Sequence, residues 1–371
     1  MVKRHIILSI MVLLGQFVNT CSKSPSQNSS EEWFVDSGQN LGNGRSFSIA
    51  LGDIDQDGDL DAVITHYTHA SKVWINDGNG IFTDSGQNLG RPTGHGAAMD
   101  DLDGDGDLDL FLVHNQNTDQ VYLNDGNGNF TDSGQRIGNA AEAGLSVILG
   151  DIDGDGDPDA LVALYQDPNK MLFNDGSGTF TEGPQTLGSA LSGGMVLCDV
   201  DHDEDLDVIL SNSENRDALL LNNGNGIFNH SDQDLSPIIG RGAAALGDLD
   251  SDGDLDLFIT NSEQGNQIWL NDGLGIFTEY GPFFGESSVK VRLGDVDNDG
   301  DLDAFTIRLD RSVHLWMNNG TGTFASDGAI DGVQEALTVA LCDVDGDGDL
   351  DILVGTLDGS GGNKAFINIM E

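Results

Sequence analysis

One acidic motif, D-x-D-x-D-G-D-x-D, recurs seven times along this chain, with its first Asp at 53, 101, 151, 199, 248, 295 and 343. The intervals are 48, 50, 48, 49, 47 and 48 residues. A fixed period in this range marks a repeat architecture, so the fold follows from what one such unit builds. After each cluster comes a short apolar run, such as Ala62 to Ile64, Leu110 to Leu112, Val208 to Leu210 and Leu257 to Ile259. The turn N-D/N-G-x-G then recurs between 76 and 80, 124 and 128, 174 and 178, 222 and 226, 271 and 275, and 318 and 322. Its glycines supply the positive φ that a tight hairpin requires. Each unit therefore reads as four short antiparallel strands, and nothing after residue 30 reads as a long helix.

Four strands in about 40 to 50 residues describe a β-propeller blade, whereas a solenoid repeat of that length carries helices. The expected fold is all-β, a seven-bladed propeller of four-stranded antiparallel blades spanning 32–371. The chain ends fit a closed ring. EEWFVDSGQNLG (31–42) matches the fourth strand IFTDSGQNLG (81–90) but has no strands before it. NKAFINIME (363–371) aligns Phe366, Ile367 and Asn368 with Trp74, Ile75 and Asn76, and then stops. Pairing the N-terminal strand into the last blade would close the ring and remove its free edge. Positions three and five before each loop are mostly small, as in Ala50 and Ser48, Ala98 and Gly96, Ala245 and Ala243, and Ala340 and Thr338, which suits strands crowded round an axis. Unit six breaks the pattern with Lys290 and Arg292, expected to be solvated or paired with local carboxylates, with a ligand role as the alternative.

Oxygen ligands at alternate positions of a short loop, with glycine at the sixth, are how a chain wraps a hard cation. The candidate ligands are Asp53, Asp55, Asp57, Asp59 and Asp61 in the first copy, and Asp101, Asp103, Asp105, Asp107 and Asp109 in the second. The third and fourth hold Asp151, Asp153, Asp155, Asp157, Asp159 and Asp199, Asp201, Asp203, Asp205, Asp207. The fifth and sixth hold Asp248, Asp250, Asp252, Asp254, Asp256 and Asp295, Asp297, Asp299, Asp301, Asp303. The seventh holds Asp343, Asp345, Asp347, Asp349 and Asp351. Position seven is expected to offer its backbone carbonyl. Calcium, up to seven ions, is the expected occupant because it accepts many carboxylate oxygens in loose geometry, whereas magnesium demands a stricter octahedron. An EF-hand is excluded: its twelfth position needs a bidentate Glu, and here it holds Ile64, Leu112, Val162, Leu210, Ile259, Thr306 or Val354. Without metal, each close carboxylate pair costs roughly 1 to 4 kcal/mol at effective dielectrics of about 80 to 20. Copy four has Glu204 in place of the glycine and is expected to be the weakest site.

These residues resemble the FG-GAP or VCBS-type repeat, found in integrin α-subunit propellers and in bacterial surface proteins. The resemblance covers 31–371, and the presence of the loop in every blade is more similar to the bacterial VCBS branch. It implies a seven-bladed propeller, calcium between first and second strands, and a ligand or partner on the opposite face. It implies no single activity, since adhesins, lectins and polysaccharide lyases share the fold.

Fifteen basic residues against 63 acidic ones give a net charge of −48, which seven divalent ions would lower by 14. The excess argues against nucleic acid or an anionic membrane as partner. Residues 1–21 read as an export signal: Lys3 and Arg4, an apolar stretch from Ile6 to Val18, then Cys21. The stretch is too short to span a bilayer. This resembles a bacterial lipoprotein signal that lipidates Cys21, with 22–31 as a polar tether; ordinary secretion is the alternative, because Thr20 is larger than the usual residue before that cysteine. Membrane contact is expected only through such an anchor. Cys198 and Cys342, in non-neighbouring blades, are expected to be buried thiols rather than a disulfide.

On the face away from the Asp loops, the candidates for a ligand surface are His66, His95, His114, Tyr165, Asn212, Asn261 and Arg308, with Tyr67, His69, Glu214, Glu263 and Arg311 nearby. Two functions are open. One is a non-catalytic, calcium-dependent binding, adhesion or scaffold module for a glycan or protein ligand. The other is a polysaccharide lyase, in which a His or Tyr moves the proton and an Arg or His neutralises a uronate.

Overall fold

The apolar run after each Asp loop is buried on both faces, which is why it is continuous rather than alternating. Asp109–His114 is buried at all six positions, and so are Asp159–Leu164 and Asp351–Thr356. A strand enclosed in this way needs a sheet partner on each edge and a packed layer on each side. The computed structural model describes residues 33–188, 192–212, 218–233, 235, 242–357 and 361–370. It supplies these partners as seven four-stranded antiparallel sheets. The leader, Cys21 and the tether lie outside the described residues.

In the first blade the strands run Ile49–Gly52, Asp61–Ile64, Lys72–Asn76 and Phe82–Asp84, in spatial order. The same meander repeats round the ring, and the first strands of successive blades contact one another until the seventh meets the first. The seventh blade is composite. Ala336–Cys342, Asp351–Thr356 and Lys364–Asn368 are joined on the outside by Phe34–Asp36, with Phe34 opposite Asn368 and Asp36 opposite Phe366. In the first blade, Phe82 likewise lies opposite Asn76. The N-terminal strand thus fills the slot left vacant by the C-terminus, in the register of an ordinary blade.

The core is divided among the blade interfaces. Seven apolar clusters lie one between each neighbouring pair, and the cluster joining blades six and seven holds Phe34, Phe305, Val354 and Phe366. The largest enclosed side chains include Phe111, Phe258, Phe305 and Phe366. The small residues of the inner strands are required by close approach: a Cβ on Gly96 would lie 2.8 Å from Ser146 Cα of the next blade. Cys198 and Cys342 are unbridged, and burial pushes both thiols up. Lys290 and Arg292 sit on the inner strand Ser288–Gly294; of the two expected alternatives, neither residue has a carboxylate partner among the described residues, while Arg292 is exposed to solvent and Lys290 is partly buried.

Candidate metal centres

Each Asp loop joins a first strand to a second strand, so all seven open on one rim of the ring. The loop folds on its own carboxylates. Asp53 accepts from the N–H groups of Asp57 and Gly58 at 3.0 and 3.1 Å, and Asp57 accepts from Asp59 N–H at 3.0 Å. The bond from position seven to position five recurs in all seven loops. The sixth position is left-handed throughout: its glycines have φ of 96 to 99° and Glu204 has 72°. Glu204 therefore occupies the backbone region that disfavours a Cβ, as its sequence position implied. The fourth position is left-handed as well, at Gln56, His202, Ser251, Asn298 and three glycines.

The ninth Asp has a role the sequence did not reveal. Asp61 accepts from Ile54 N–H at 3.0 Å through one oxygen and from Asn76 N–H at 2.7 Å through the other. Both bonds recur in every blade and clamp the loop to the end of the third strand. Burial pushes these carboxyls up, Asp61 and Asp256 to about 6 and Asp109, Asp159, Asp207, Asp303 and Asp351 to about 7. At position seven the side chain also matters: a Cβ on Gly78 would lie 2.3 Å from the Asp59 carboxylate, so the hairpin glycine makes room for it.

The third Asp is the anomalous one. One oxygen of Asp55, Asp103, Asp201, Asp250 and Asp345 is shielded from solvent and accepts no hydrogen bond. Burial, then the charge of the fifth-position neighbour, raises the Asp55 carboxyl. A buried acceptor without a donor is costly unless a cation meets it. The surrounding oxygens suit one: Asp53, Asp55 and Asp57 place one oxygen each within 4.8 Å of one another, as do Asp101, Asp103 and Asp109, and Asp151, Asp153 and Asp159. The donor set is all oxygen, which suits a hard cation and not a soft one.

Neighbouring loops are also laced together. Asn76, at the end of a third strand, donates through Nδ2 to the carbonyl of Val344 in the previous blade's loop at 2.8 Å. The equivalent bond recurs from Asn124, Asn174, Asn222, Asn271, Asn318 and Asn368, so it runs round the whole ring. From the fourth position, His202 reaches Asp254 at 3.0 Å and Ser251 reaches Asp301 at 3.3 Å; Gln56 and Asn298 similarly meet Asp107 and Asp349. The signal for this lacing was present in the sequence as a position that holds only Gly or a polar side chain.

The opposite face is less open than expected. His66 and His114 are 2% and 1% exposed, and Asn261 is 6% exposed. His66 lies 3.0 Å from Ser46 Oγ, and Asn261 Oδ1 accepts from Glu263 and Gln264 N–H. Burial drives His114 down to about 4, which keeps it neutral. Arg308 is paired with Glu286 in a cavity of 460 Å³ lined also by Glu263, Gln264 and Asp310. Tyr165 is exposed. His95 stands apart from the others, stacked on Phe47 with centroids 4.1 Å apart. The side chain of Asn212, and all of Glu214, lie outside the described residues. Packing thus encloses His66, His114 and Asn261, while Tyr165 is exposed and His95 and Arg308 are partly so.

The FG-GAP-like repeat family matches residues 101–162, 199–259, 248–306 and 295–354, more than half of the chain. No curated protein matches it. Among solved structures, the BP39L lectin from Burkholderia pseudomallei is similar at a TM-score of 0.65 and 12% identity, covering 88% of this chain and 96% of the lectin. BBS1N, solved in complex with ARL6DN, is similar at 0.64 and 8%, covering 91% of this chain and 97% of its own. At such identities the likeness is one of fold.

Proposed function

The chain belongs to the FG-GAP-like repeat family, and from that premise we propose that it is a calcium-stabilised, non-catalytic binding module that presents the face away from its Asp loops to a glycan or protein. The observation that carries the metal reading is the shielded third-position oxygen, left without a donor in five loops. Calcium would be held by the side chains of positions one, three, five and nine and would supply the positive charge those oxygens lack. Its role is structural, since ninth-position carboxylates tie each loop to a hairpin that is itself bonded to the preceding blade.

A rigid ring with short loops suits recognition better than chemistry, because surface loops on a fixed scaffold can bind without a lid. The similar lectin and the BBS1N complex are consistent with a sugar or a protein as the occupant. The lyase reading is the less favoured: of its candidates His66 and His114 are enclosed and Arg308 is already paired, which leaves exposed Tyr165 and half-buried His95 to move a proton. The leader ending at Cys21 supports export, with anchoring at the cell surface through a lipid or free secretion. The test is elemental analysis for bound calcium, followed by a glycan array with calcium and again after chelation. Bound calcium and glycan signals lost on chelation are expected; no bound calcium, or new unsaturated sugar ends on incubation with uronate polymers, would overturn the reading.

A further inference from the structure

Six described cations of this acidic chain, Lys72, Arg136, Lys170, Arg308, Arg311 and Lys364, are each paired with a carboxylate. Among the described residues Lys290 and Arg292 have no carboxylate partner, and neither do Arg45, which lies over the Tyr67 ring, and the exposed Arg91; what sets Lys290 and Arg292 apart is that they are neighbours on one strand. Both stand at the axis-facing positions of an inner strand, where other blades have mostly small residues and no charge. Lys290 reaches past the seventh blade to donate to the Phe47 carbonyl of the first at 3.1 Å, and Arg292 donates to Val291 O at 2.9 Å. Phe47 and His95 stack 11° from parallel, and His95 Nδ1 donates to Leu145 O at 2.7 Å. Protein surrounds both cations closely enough that burial, then the charge of Arg292, depresses Lys290 to about 7, and burial also lowers Arg292. Arg292 is nonetheless exposed to solvent, and Lys290 is half-buried.

Two adjacent cations repel each other, Lys290 also loses part of its hydration, and neither effect is offset by an ion pair among the described residues. We propose that the mouth of the central opening, on the face away from the Asp loops, is an oxyanion site. Lys290 and Arg292 pair with the carboxylate or sulfate of an acidic sugar, and Phe47 and His95 offer a partly open aromatic surface beside them. Charge-assisted bonds from a guanidinium and an ammonium are the strong ones for such a group. The overall charge of −48 repels free anions at long range, so recognition has to be local. This deepens the binding-module reading and rests on it by naming the ligand's chemistry.

The experiment is titration calorimetry of the calcium-saturated full chain with galacturonate, galactose 6-sulfate and galactose. One acidic sugar is expected to bind once per chain, galactose at least about tenfold more weakly. Lys290→Met with Arg292→Leu is expected to weaken that binding by about tenfold or more without lowering calcium stoichiometry, since no ion pair is lost. If the double variant fails to fold, Arg292→Gln is read in its place, and Lys290→Arg should retain binding. Galactose binding as tightly as the acids, variants binding as the parent does, or no acidic sugar binding at concentrations up to about 10 mM would overturn the site. Neutral glycans captured on the array despite that outcome would leave the binding module standing and remove only its oxyanion site.

Discussion

At the scale of single residues, the nine positions of an Asp loop divide their labour, and substitutions should separate the parts. Asp55 has a shielded oxygen with no donor, which is what a ligand of the proposed cation requires, whereas Asp109 holds two backbone N–H groups. Asp55→Asn should weaken calcium binding at one site and leave the metal-free protein unharmed or slightly more stable, because one repelling charge is gone. Asp109→Asn replaces an acceptor by a donor at one of those N–H groups, and should cost about 1 to 3 kcal/mol in denaturant titrations even with saturating calcium. Glu204 has φ of 72° where the other loops have glycine. Glu204→Gly should relieve about 1 kcal/mol of backbone strain and tighten the fourth site, read as a stepwise gain in calcium affinity by calorimetry; equal affinity would sink the account of that loop.

Between residue and ring lies the blade, and what holds one blade to the next is an apolar cluster and a row of asparagines. Phe34 is 3% exposed in the cluster joining the sixth and seventh blades, though it comes from the opposite end of the chain. Phe34→Ala should destabilise by about 3 to 5 kcal/mol, an unusual effect for a strand of three residues next to a terminus. Gln39 adds to this closure by accepting from Phe82 N–H of the first blade at 2.8 Å. Asn124 bonds through Nδ2 to Ile54 O of the preceding blade at 2.8 Å, where no water can replace it. Asn124→Ala should therefore cost about 1 to 3 kcal/mol, and a double-mutant cycle with Asp61→Ala should show coupling, because Asp61 holds the N–H of Ile54 and Asn124 its C=O.

For the molecule as a whole, calcium and protons should act in opposition. In the metal-free protein the ninth-position carboxyls are raised to about 6 or 7, above the unfolded value of about 3.9, so the fold retains protons the unfolded chain has released. Metal-free stability should then fall as pH rises from about 4 to about 7 and stay low above that. Calcium replaces those protons, so its stabilisation should grow with pH; melting curves at pH 5.5 and 8 after demetallation, with and without added calcium, give the comparison, and identical curves at pH 8 would count against the metal centres. By itself the sequence determined the repeat, the seven blades and the strand that closes the ring. Those features depend on short-range order, on alternation, glycine placement and period, which a linear chain displays directly. Tertiary structure alone decided that the ninth Asp clamps a neighbouring strand, that Asn76 and its six equivalents lace the ring, that His66 and His114 are enclosed, and that Lys290 and Arg292 meet backbone carbonyls and no carboxylate among the described residues. Each of these depends on which side chains from distant blades converge and how much water they exclude, and closure of the ring sets both.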